Sequence, residues 1–148
     1  MAGIIFFFEE TSRDVFSGRP QDLDAWNYAI KIAGDIDNMV IINRTNQRIR
    51  RVDSDLKNFH VLDTLPDFDL WGRVVHVVCP WDATGNKTTL WGFDHAVDWY
   101  VFGPASGWGS LQSECAVFIP QAGKGALHAL HVAPIIMAHR FYKIKGGQ

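Results

Sequence analysis

Five short apolar runs divide the chain, and none of them alternates with polar residues as a half-exposed strand does. The runs are Ile4 to Phe8, Met39 to Ile42, Val74 to Val78, Trp99 to Phe102 and Ala116 to Ile119. Continuous runs of this length are typical of strands that are covered on both faces, as in a parallel sheet between helical layers. The pattern therefore predicts an α/β fold with a mostly parallel sheet and helices on both faces.

Helical periodicity fills the gap between the first two runs. Apolar residues recur there at positions three or four apart, namely Leu23, Trp26, Ile30 and Ala33. Asp22 precedes them as a suitable N-cap, and Gly34 follows them as a suitable stop. Residues 22–33 are therefore predicted to form a helix that completes a βαβ unit.

A second helix is predicted near the carboxyl end of the chain. Its apolar positions also recur at three and four, namely Leu127, Leu130, Pro134, Met137 and Phe141. Arg140, Lys143 and Lys145 lie where the helix dipole stabilises cations. Because proline is favoured in the first turn of a helix, we expect Pro134 in that turn and the residues before it in a loop.

The composition limits the classes of protein that this chain can represent. It has 148 residues, of which 47% are hydrophobic, so one globular domain spanning residues 1–148 is expected. The formal net charge of -2 gives no overall basic field for nucleic acid. Any contact with RNA must therefore come from a local patch.

The cysteines and the amino-terminal run bear on metal sites and location. Cys79 and Cys115 lie far apart without metal-ligand spacing, so we expect reduced thiols, no disulfide and no bound metal. The run Ile4 to Phe8 is shorter than the core of a signal peptide, and two glutamates follow it. No run approaches the ~20 apolar residues of a membrane span. A cytoplasmic protein without membrane contact is expected.

Three predicted strands run directly into loops that contain glycine or proline. These junctions are Val78-Cys79-Pro80, Phe102-Gly103-Pro104 and Ile119-Pro120. In open α/β sheets, small ligands bind at the carboxyl ends of the strands. Such loops are also plain turns in many proteins, and neither a GxGxxG pattern nor a P-loop lysine is present to indicate a nucleotide.

These junctions resemble the motifs of a known family. The segments Phe102-Gly103-Pro104-x-Ser106, Ile119-Pro120 and Ala129-Leu130-His131-Val132, ahead of a helix that ends near Arg140, resemble the second and third motifs of SpoU/TrmH-type SPOUT RNA methyltransferases. The order and spacing of the earlier segments are most similar to the minimal, TrmL-like members that modify the tRNA anticodon loop. The resemblance covers almost the whole chain and is specific after about Val74.

The resemblance implies a SPOUT fold with a deep carboxy-terminal trefoil knot, a homodimer, and S-adenosylmethionine held by backbone groups of the knot. Carried over by position, the cofactor-binding residues would be Val78, Cys79, Pro80, Phe102, Gly103, Pro104, Ile119, Leu130, His131 and Val132. Recognition by the main chain tolerates changes of side chain, so this expectation does not require matching side chains.

The catalytic residues of the family are poorly matched in this chain. The family's first motif has an arginine, and counting along the sequence places Asn27 or a neighbour at that position. No arginine occurs between Arg19 and Arg44, and Ala105 stands where the second motif has glutamate. The candidate catalytic residues are therefore His131, Asn27 and Arg19.

Histidine is the side chain most suited to removing a proton near neutral pH, and six are present. His131 replaces the asparagine of the family's third motif and is the best-placed general base. It could equally be a hydrogen-bonding residue in the loop that enters the last helix. His128 is a weaker candidate, and His139 is interpreted as a polar-face or dimer-contact residue. Three others are interpreted as structural, without a partner: His60, His76 and His95.

Basic and aromatic side chains offer possible contacts with RNA. The cluster of Arg44, Arg48, Arg50 and Arg51 suits phosphates, although a solvated loop explains it as well. Most of the six tryptophans are interpreted as core or dimer-interface residues. Trp81 and Trp108 are the exceptions, because they lie in predicted pocket loops where an exposed ring could stack on an unpaired base.

The leading hypothesis is an S-adenosylmethionine-dependent ribose 2′-O-methyltransferase that acts on RNA, with tRNA the preferred substrate. One alternative is a noncatalytic protein that binds S-adenosylmethionine or RNA on the same fold. The other is a dimeric interaction protein without a cofactor.

Overall fold

A computed structural model of the chain describes residues 2–8, 30–43, 58–64, 66–103, 110–111, 115–123 and 129–146. These residues include nine strands and one long helix. The strands are β1 Ala2–Phe8, β2 Ile36–Asn43, β3 Asn58–Leu62, β4 Val74–Val78, β5 Ala83–Thr84, β6 Thr88–Thr89, β7 Trp99–Phe102, β8 Ser110–Leu111 and β9 Ala116–Phe118. Helix α1 is Ala129–Phe141, and a π-helical turn, Tyr142–Gly146, follows it. Short 3₁₀ turns occur at Phe68–Trp71 and Leu90–Gly92.

Seven of these strands form one sheet, in the order β3-β2-β1-β7-β4-β9-β6. Every described pairing in the sheet is parallel, and the small β5-β8 pair is parallel too. All five apolar runs form strands of this sheet. The prediction of an α/β fold built on a parallel sheet is confirmed.

Strand β3 was not predicted, because it lies in the polar stretch between Arg44 and Asp63. It occupies the edge of the sheet, beside β2 alone. His60 and Val61 are exposed on it. Because neighbouring residues of a strand point to opposite faces, both faces of β3 are open at this point, so the strand needs no continuous apolar run and the pattern that identifies the central strands does not detect it.

Side chains of the central strands alternate between two apolar clusters, one on each face of the sheet. Tyr100 and Phe102 are buried in the larger cluster, whereas Val101 is buried in the smaller one. The helical residues 30–33 and helix α1 both contribute to the larger cluster. On the opposite face, the described covering includes Trp71 of a 3₁₀ turn. Helices on both faces therefore stay a prediction for the rest of the chain.

The helix predicted to end at Gly34 does so. Its last residues, 30–33, are helical, and Ile30 and Ala33 are buried as expected. Gly34 has φ of 80°, and its N–H donates to the Ile30 carbonyl at 3.1 Å. This is the left-handed helix stop that glycine forms without strain. The start of the helix, including Asp22, lies outside the described residues.

Helix α1 begins earlier than predicted. It starts at Ala129, so Pro134 is its sixth residue, and the expectation of a loop before Pro134 is wrong. An interior proline removes one backbone hydrogen bond. Burial of Val132, Ala133, Ile136 and Met137 against the sheet offsets that loss. The buried stripe is also shifted from the predicted one, because Phe141 is 45% exposed.

Among the described residues, no helix is long and apolar enough to cross a membrane.

The close approach of β1 and β7 leads to a first prediction. A Cβ atom added at Gly3 would lie 2.3 Å from the Trp99 ring, which itself packs on Trp71 with ring centroids 5.0 Å apart. Because that ring has little room to move, Gly3→Ala should reduce the free energy of unfolding by about 1–3 kcal/mol. Urea denaturation measures the change. The control is Gly123→Ala, where a Cβ meets nothing within 4 Å and stability should be unchanged.

Candidate functional site

The carboxyl ends of β4, β7 and β9 meet at one edge of the sheet. Val77 pairs with Phe102, and Val78 pairs with Phe118. Because the three strands are parallel, the residues that follow them lie side by side. The fold therefore brings together three of the loops predicted from sequence, at Cys79, Gly103 and Ile119.

The start of α1 joins the same apolar cluster as these strands. Val132, in the first turn, is 9% exposed and belongs to the cluster that contains Val77 and Phe102, with Ile119 packed against it. Leu130 and His131 are helical in their backbones, and their side chains lie outside the described residues. They form the first turn of the helix and not the preceding loop.

The turn after β4 is held by a reciprocal pair of hydrogen bonds. The Cys79 N–H donates to Asp82 Oδ2 at 2.7 Å, and the Asp82 N–H donates to the Cys79 carbonyl at 3.0 Å. Lys87 Nζ donates to the carbonyl of Pro80, and to that of Asp82 at 3.3 Å. Its ammonium also lies 5.6 Å from the centre of the Phe118 ring. Lys87 thus ties the turn to β9.

This turn limits how a ligand can be recognised at Cys79, because the Cys79 N–H is already bonded within the protein. Asp82 and Lys87 were missed in the sequence. The signal for Asp82 is an aspartate three residues after a strand end, where its carboxylate can bond a backbone N–H and form a turn. No comparable local signal identifies Lys87, because its partners depend on how β6 folds beside β9.

Burial raises the pKa of the Cys79 thiol, and the nearby Asp82 carboxylate raises it further. Burial also raises the pKa of Cys115. Neither cysteine forms a disulfide, and both are half-buried. Their thiols therefore stay protonated at neutral pH, and neither is an activated nucleophile.

The side chain of Trp81 is 49% exposed on this turn. An aromatic ring that is half open to solvent, on a turn fixed by hydrogen bonds, presents a flat apolar face beside the three strand ends.

A buried polar cluster lies at the opposite edge of the sheet, where β2 and β7 begin. Arg140 donates from Nε and Nη2 to the two carboxylate oxygens of Asp35, at 3.3 and 2.5 Å. Its Nη1 donates to the Tyr100 hydroxyl at 2.9 Å. Tyr100 Oη is 2.9 Å from His95 Nδ1, and His95 Nε2 is 2.7 Å from His139 Nδ1.

This cluster corrects two interpretations of the sequence. His95 has partners, since it bonds both Tyr100 and His139. Arg140 is more than a cation at a helix end, because it is 5% exposed and lies one turn beyond Met137 and Ile136 on the buried face of α1. An arginine three and four residues after the buried Met137 and Ile136 falls on the buried face of the helix, and that spacing could have identified Arg140 as a buried residue. We call this set of five residues the Arg140 cluster: Asp35, His95, Tyr100, His139 and Arg140.

Burial disfavours charge in the Arg140 cluster. It lowers the pKa of His95 to about 4, with further lowering by His139 and Arg140. Burial raises the pKa of Tyr100 to about 12. The pKa of His139 is also lowered, by burial and then by Lys143. At neutral pH both imidazoles and the phenol are therefore uncharged.

Of the other histidines, His76 is buried on β4, and burial lowers its pKa. Within the described ranges, no group of three His, Cys, Asp or Glu side chains could hold a metal ion.

Several predicted functional residues lie outside the described residues. They are Arg19, Asn27, Pro104, Ala105, Ser106, Trp108, His128 and the arginines of residues 44–51. Their proposed roles stay predictions.

Solved structures of RNA-modifying enzymes share this architecture. An RNA 2′-O ribose methyltransferase matches with a TM-score of 0.59 at 14% identity, over 96% of this chain and 56% of the other. A structure from work on the 2-OH methylation of C/U34 on tRNA matches with a TM-score of 0.59 at 10% identity, over 98% of this chain and 97% of the other. The SpoU methyltransferase AviRb from Streptomyces viridochromogenes, in complex with AdoMet, matches with a TM-score of 0.56 at 14% identity, over 93% of this chain and 58% of the other.

No protein-family model matches the chain, and no curated protein matches it in sequence. The chain nevertheless has the fold of the SpoU/TrmH-type SPOUT methyltransferases, as the motif resemblance predicted. It spans a little over half the length of the first of these structures and nearly all of the second. At 10% to 14% identity it is divergent from all three.

The reciprocal hydrogen bonds of the turn lead to a second prediction. Asp82→Asn keeps an oxygen that can accept from the Cys79 N–H and removes the negative charge that raises the pKa of the thiol. In a Cys115→Ser background, alkylation of Cys79 by iodoacetamide at pH 8 should become about twofold faster or more. The control is Asp63→Asn, at an exposed position just after β3. An unchanged rate in Asp82→Asn would contradict the arrangement of this turn.

Proposed function

We propose that the protein is an S-adenosylmethionine-dependent RNA methyltransferase that acts on a ribose 2′-hydroxyl, with tRNA as its substrate. The observation that carries the proposal is the meeting of three strand ends with the first turn of α1 at one edge of a SpoU/TrmH-type fold. The matching structures support it, since they include an RNA 2′-O ribose methyltransferase, a protein studied for 2-OH methylation of tRNA and a methyltransferase bound to AdoMet.

The described residues of this edge suit an adenosyl group. Val78 and Phe102 are buried, Ile119 is half-buried, and together they supply apolar walls. Gly103 follows Phe102 without a side chain, so a ligand can approach the backbone there. A flat purine needs apolar surface together with a few backbone donors and acceptors, which the backbone of Gly103 and Ile119 would supply.

Proton removal is the chemical step that the protein must assist. When bound, S-adenosylmethionine supplies a methyl group on a sulfonium centre. His131 would act as the general base that takes the proton from the ribose 2′-hydroxyl as its oxygen accepts the methyl group. Asn27 and Arg19 would position the ribose and its phosphate.

A binding protein without catalysis is the second candidate, and one observation favours it. The sequence has no arginine between Arg19 and Arg44, and Ala105 stands in place of the motif glutamate. Such a protein would keep the pocket and the RNA contacts while lacking the residues that act on the 2′-hydroxyl.

A homodimer is also proposed, through the outward face of α1 and the turn that follows. Ile135, Phe141, Tyr142 and Ile144 are large apolar side chains exposed there, although the opposite face of the helix is already buried on the sheet. A helix that is apolar on both sides is normally covered on both sides.

Calorimetric titration with S-adenosylmethionine and S-adenosylhomocysteine tests the proposal, followed by an assay of methyl transfer to bulk tRNA. Binding with transfer supports the enzyme. Binding without transfer to several RNA pools supports the noncatalytic candidate. Absence of binding overturns both.

A third prediction locates the pocket. Gly103→Leu should abolish cofactor binding, because the added side chain would fill the proposed pocket at the carboxyl end of β7. Light scattering should still give a folded dimer, twice the 16.7 kDa chain. The control is Gly92→Leu, at an exposed glycine where an added Cβ makes only ordinary contacts at 3.9 Å. Equal affinities in Gly103→Leu and the unaltered protein would place the pocket elsewhere.

A fourth prediction concerns Trp81 as a stacking surface for an unpaired RNA base. Trp81→Ala should weaken RNA binding by roughly 5- to 150-fold, since a stacked base contributes about 1–3 kcal/mol. Affinity for S-adenosylhomocysteine should not change. The matched control is Trp91→Ala, because Trp91 is 59% exposed but packs edge-on against His139. Fluorescence anisotropy of a labelled anticodon stem-loop measures both variants, and equal losses would argue against a specific stack at Trp81.

A further inference from the structure

The Arg140 cluster fastens the far end of α1 to the sheet. Arg140 and His139 belong to the last turns of the helix, whereas Asp35 precedes β2 and Tyr100 lies in β7. Arg140 Nη1 also lies 3.4 Å from the His95 carbonyl. The helix end is therefore tied to two strands and to the loop before β7 through one continuous set of hydrogen bonds.

The hydrogen bonds of the cluster run in one direction. Arg140 can only donate, so the Tyr100 oxygen accepts from it, and the Tyr100 O–H is free to donate to His95 Nδ1. His95 then carries its proton on Nε2 and donates to His139 Nδ1. With the opposite direction, the buried Tyr100 O–H would have no acceptor among the described hydrogen bonds, which disfavours that arrangement.

An added proton has no place in this arrangement. Each imidazole has one bare nitrogen, Nδ1, and each of those nitrogens already accepts a hydrogen bond. A proton on His139 Nδ1 would face the His95 N–H across 2.7 Å. A proton on His95 Nδ1 would displace the Tyr100 O–H. Either position breaks a buried hydrogen bond, and the Arg140 guanidinium repels the new charge.

His95 is held in this position by its backbone as well as by its ring. Its φ of 60° is the left-handed conformation that is uncommon in residues other than glycine, although asparagine, aspartate and histidine adopt it more often than the rest. The Val97 N–H donates to its carbonyl at 2.9 Å, and its ring packs edge-on against Phe93 at 4.8 Å. The ring therefore cannot turn away from His139 without disturbing the loop.

Charged and titratable groups surround the two imidazoles on every packed element that the structure describes. Positive charge comes from Arg140 and Lys143, and negative charge comes from Asp94 and Asp35, with neutral Tyr100 between them. Of these groups, Asp94 raises the pKa of His95, and burial, which lowers it, outweighs that effect.

We propose that the Arg140 cluster is a pH-sensitive lock, which holds the end of α1 on the sheet while both imidazoles are neutral and releases it when they take up a proton. This inference goes beyond the proposed function, and its test needs no cofactor.

The direction of the pH effect follows from linkage. The pKa of His95 is about 4 in the folded protein and about 6.5 when the residue is exposed. Between those values the open form binds more protons than the locked form, so opening becomes more favourable as pH falls from 6.5 towards 4. From pH 7.5 to pH 5.0 the opening constant should rise roughly tenfold or more.

Amide hydrogen exchange, corrected for the intrinsic effect of pH on exchange, measures this opening directly. In the unaltered protein, amides of Ile136, Met137 and Arg140 should lose protection by roughly tenfold or more between pH 7.5 and pH 5.0. Amides of Ile4 and Ile5 in β1 serve as the internal reference and should lose less. His60→Asn, at an exposed position on β3, is the control and should behave as the unaltered protein does.

Two variants remove the titrating groups in different ways. His95→Asn suits the left-handed backbone, and His139→Gln keeps an oxygen that can accept from His95 at a half-buried position. In His95→Asn, the loss of protection in α1 should fall below about threefold. His139→Gln leaves His95 in place, so its loss of protection should stay close to that of the unaltered protein, because burial is the main cause of the lowered His95 pKa. If His95→Asn does not fold, His95→Gln takes its place with the same expected result. A pH response in the folded His95 variant as large as in the unaltered protein, or equal losses in α1 and β1, would overturn the lock.

Discussion

The parallel pairing of β4 between β7 and β9 determines where the candidate functional residues lie. Val75 and Val77 face the larger apolar cluster, so a slip of one residue in this strand would turn both away from α1. The register that burial selects also places Val77, Phe102 and Val117 at one level of the sheet. Because of that alignment, three loops that are distant in sequence open at one edge, next to the first turn of α1.

The two ends of α1 make different kinds of contact with the sheet. Its first turn carries Val132 into the apolar cluster behind the strand ends, and its last turns carry Arg140 into a buried ion pair with Asp35. The chemistry proposed for the protein belongs to the first end. The second end holds the helix in place with groups that are buried and neutral, apart from the ion pair itself. A cofactor pocket made of backbone depends on such an anchor, since it can be no more ordered than the helix that forms its wall.

The sequence was most informative where burial alone decides structure. Continuous apolar runs identified all five central strands, and Gly34 marked a helix end, because a two-sided sheet and a left-handed stop each demand particular residue types. The order of the strands could not be read in this way, since β1 lies beside β7 as well as β2 through contacts almost one hundred residues apart.

Partnerships of single side chains were equally hidden. His95 and Arg140 each have an ordinary local interpretation, and only the fold brings them together across 45 positions. Pro134 was misplaced for a related reason, because tertiary burial of its neighbours outweighs its preference for a first turn. The candidate site was anticipated through motifs of backbone and glycine, whereas Asp82 and Lys87, which rigidify it, were not.

The central claim is that the carboxyl edge of β4, β7 and β9 binds S-adenosylmethionine. Titration of the ¹⁵N-labelled protein with S-adenosylhomocysteine, followed by two-dimensional NMR, tests its location residue by residue. The account predicts the largest shifts of the amide signals at Val78, Gly103, Ile119 and the first turn of α1, with little change at Arg73 and His95 on the opposite edge. Shifts concentrated at that opposite edge, or none at saturating ligand, would contradict it.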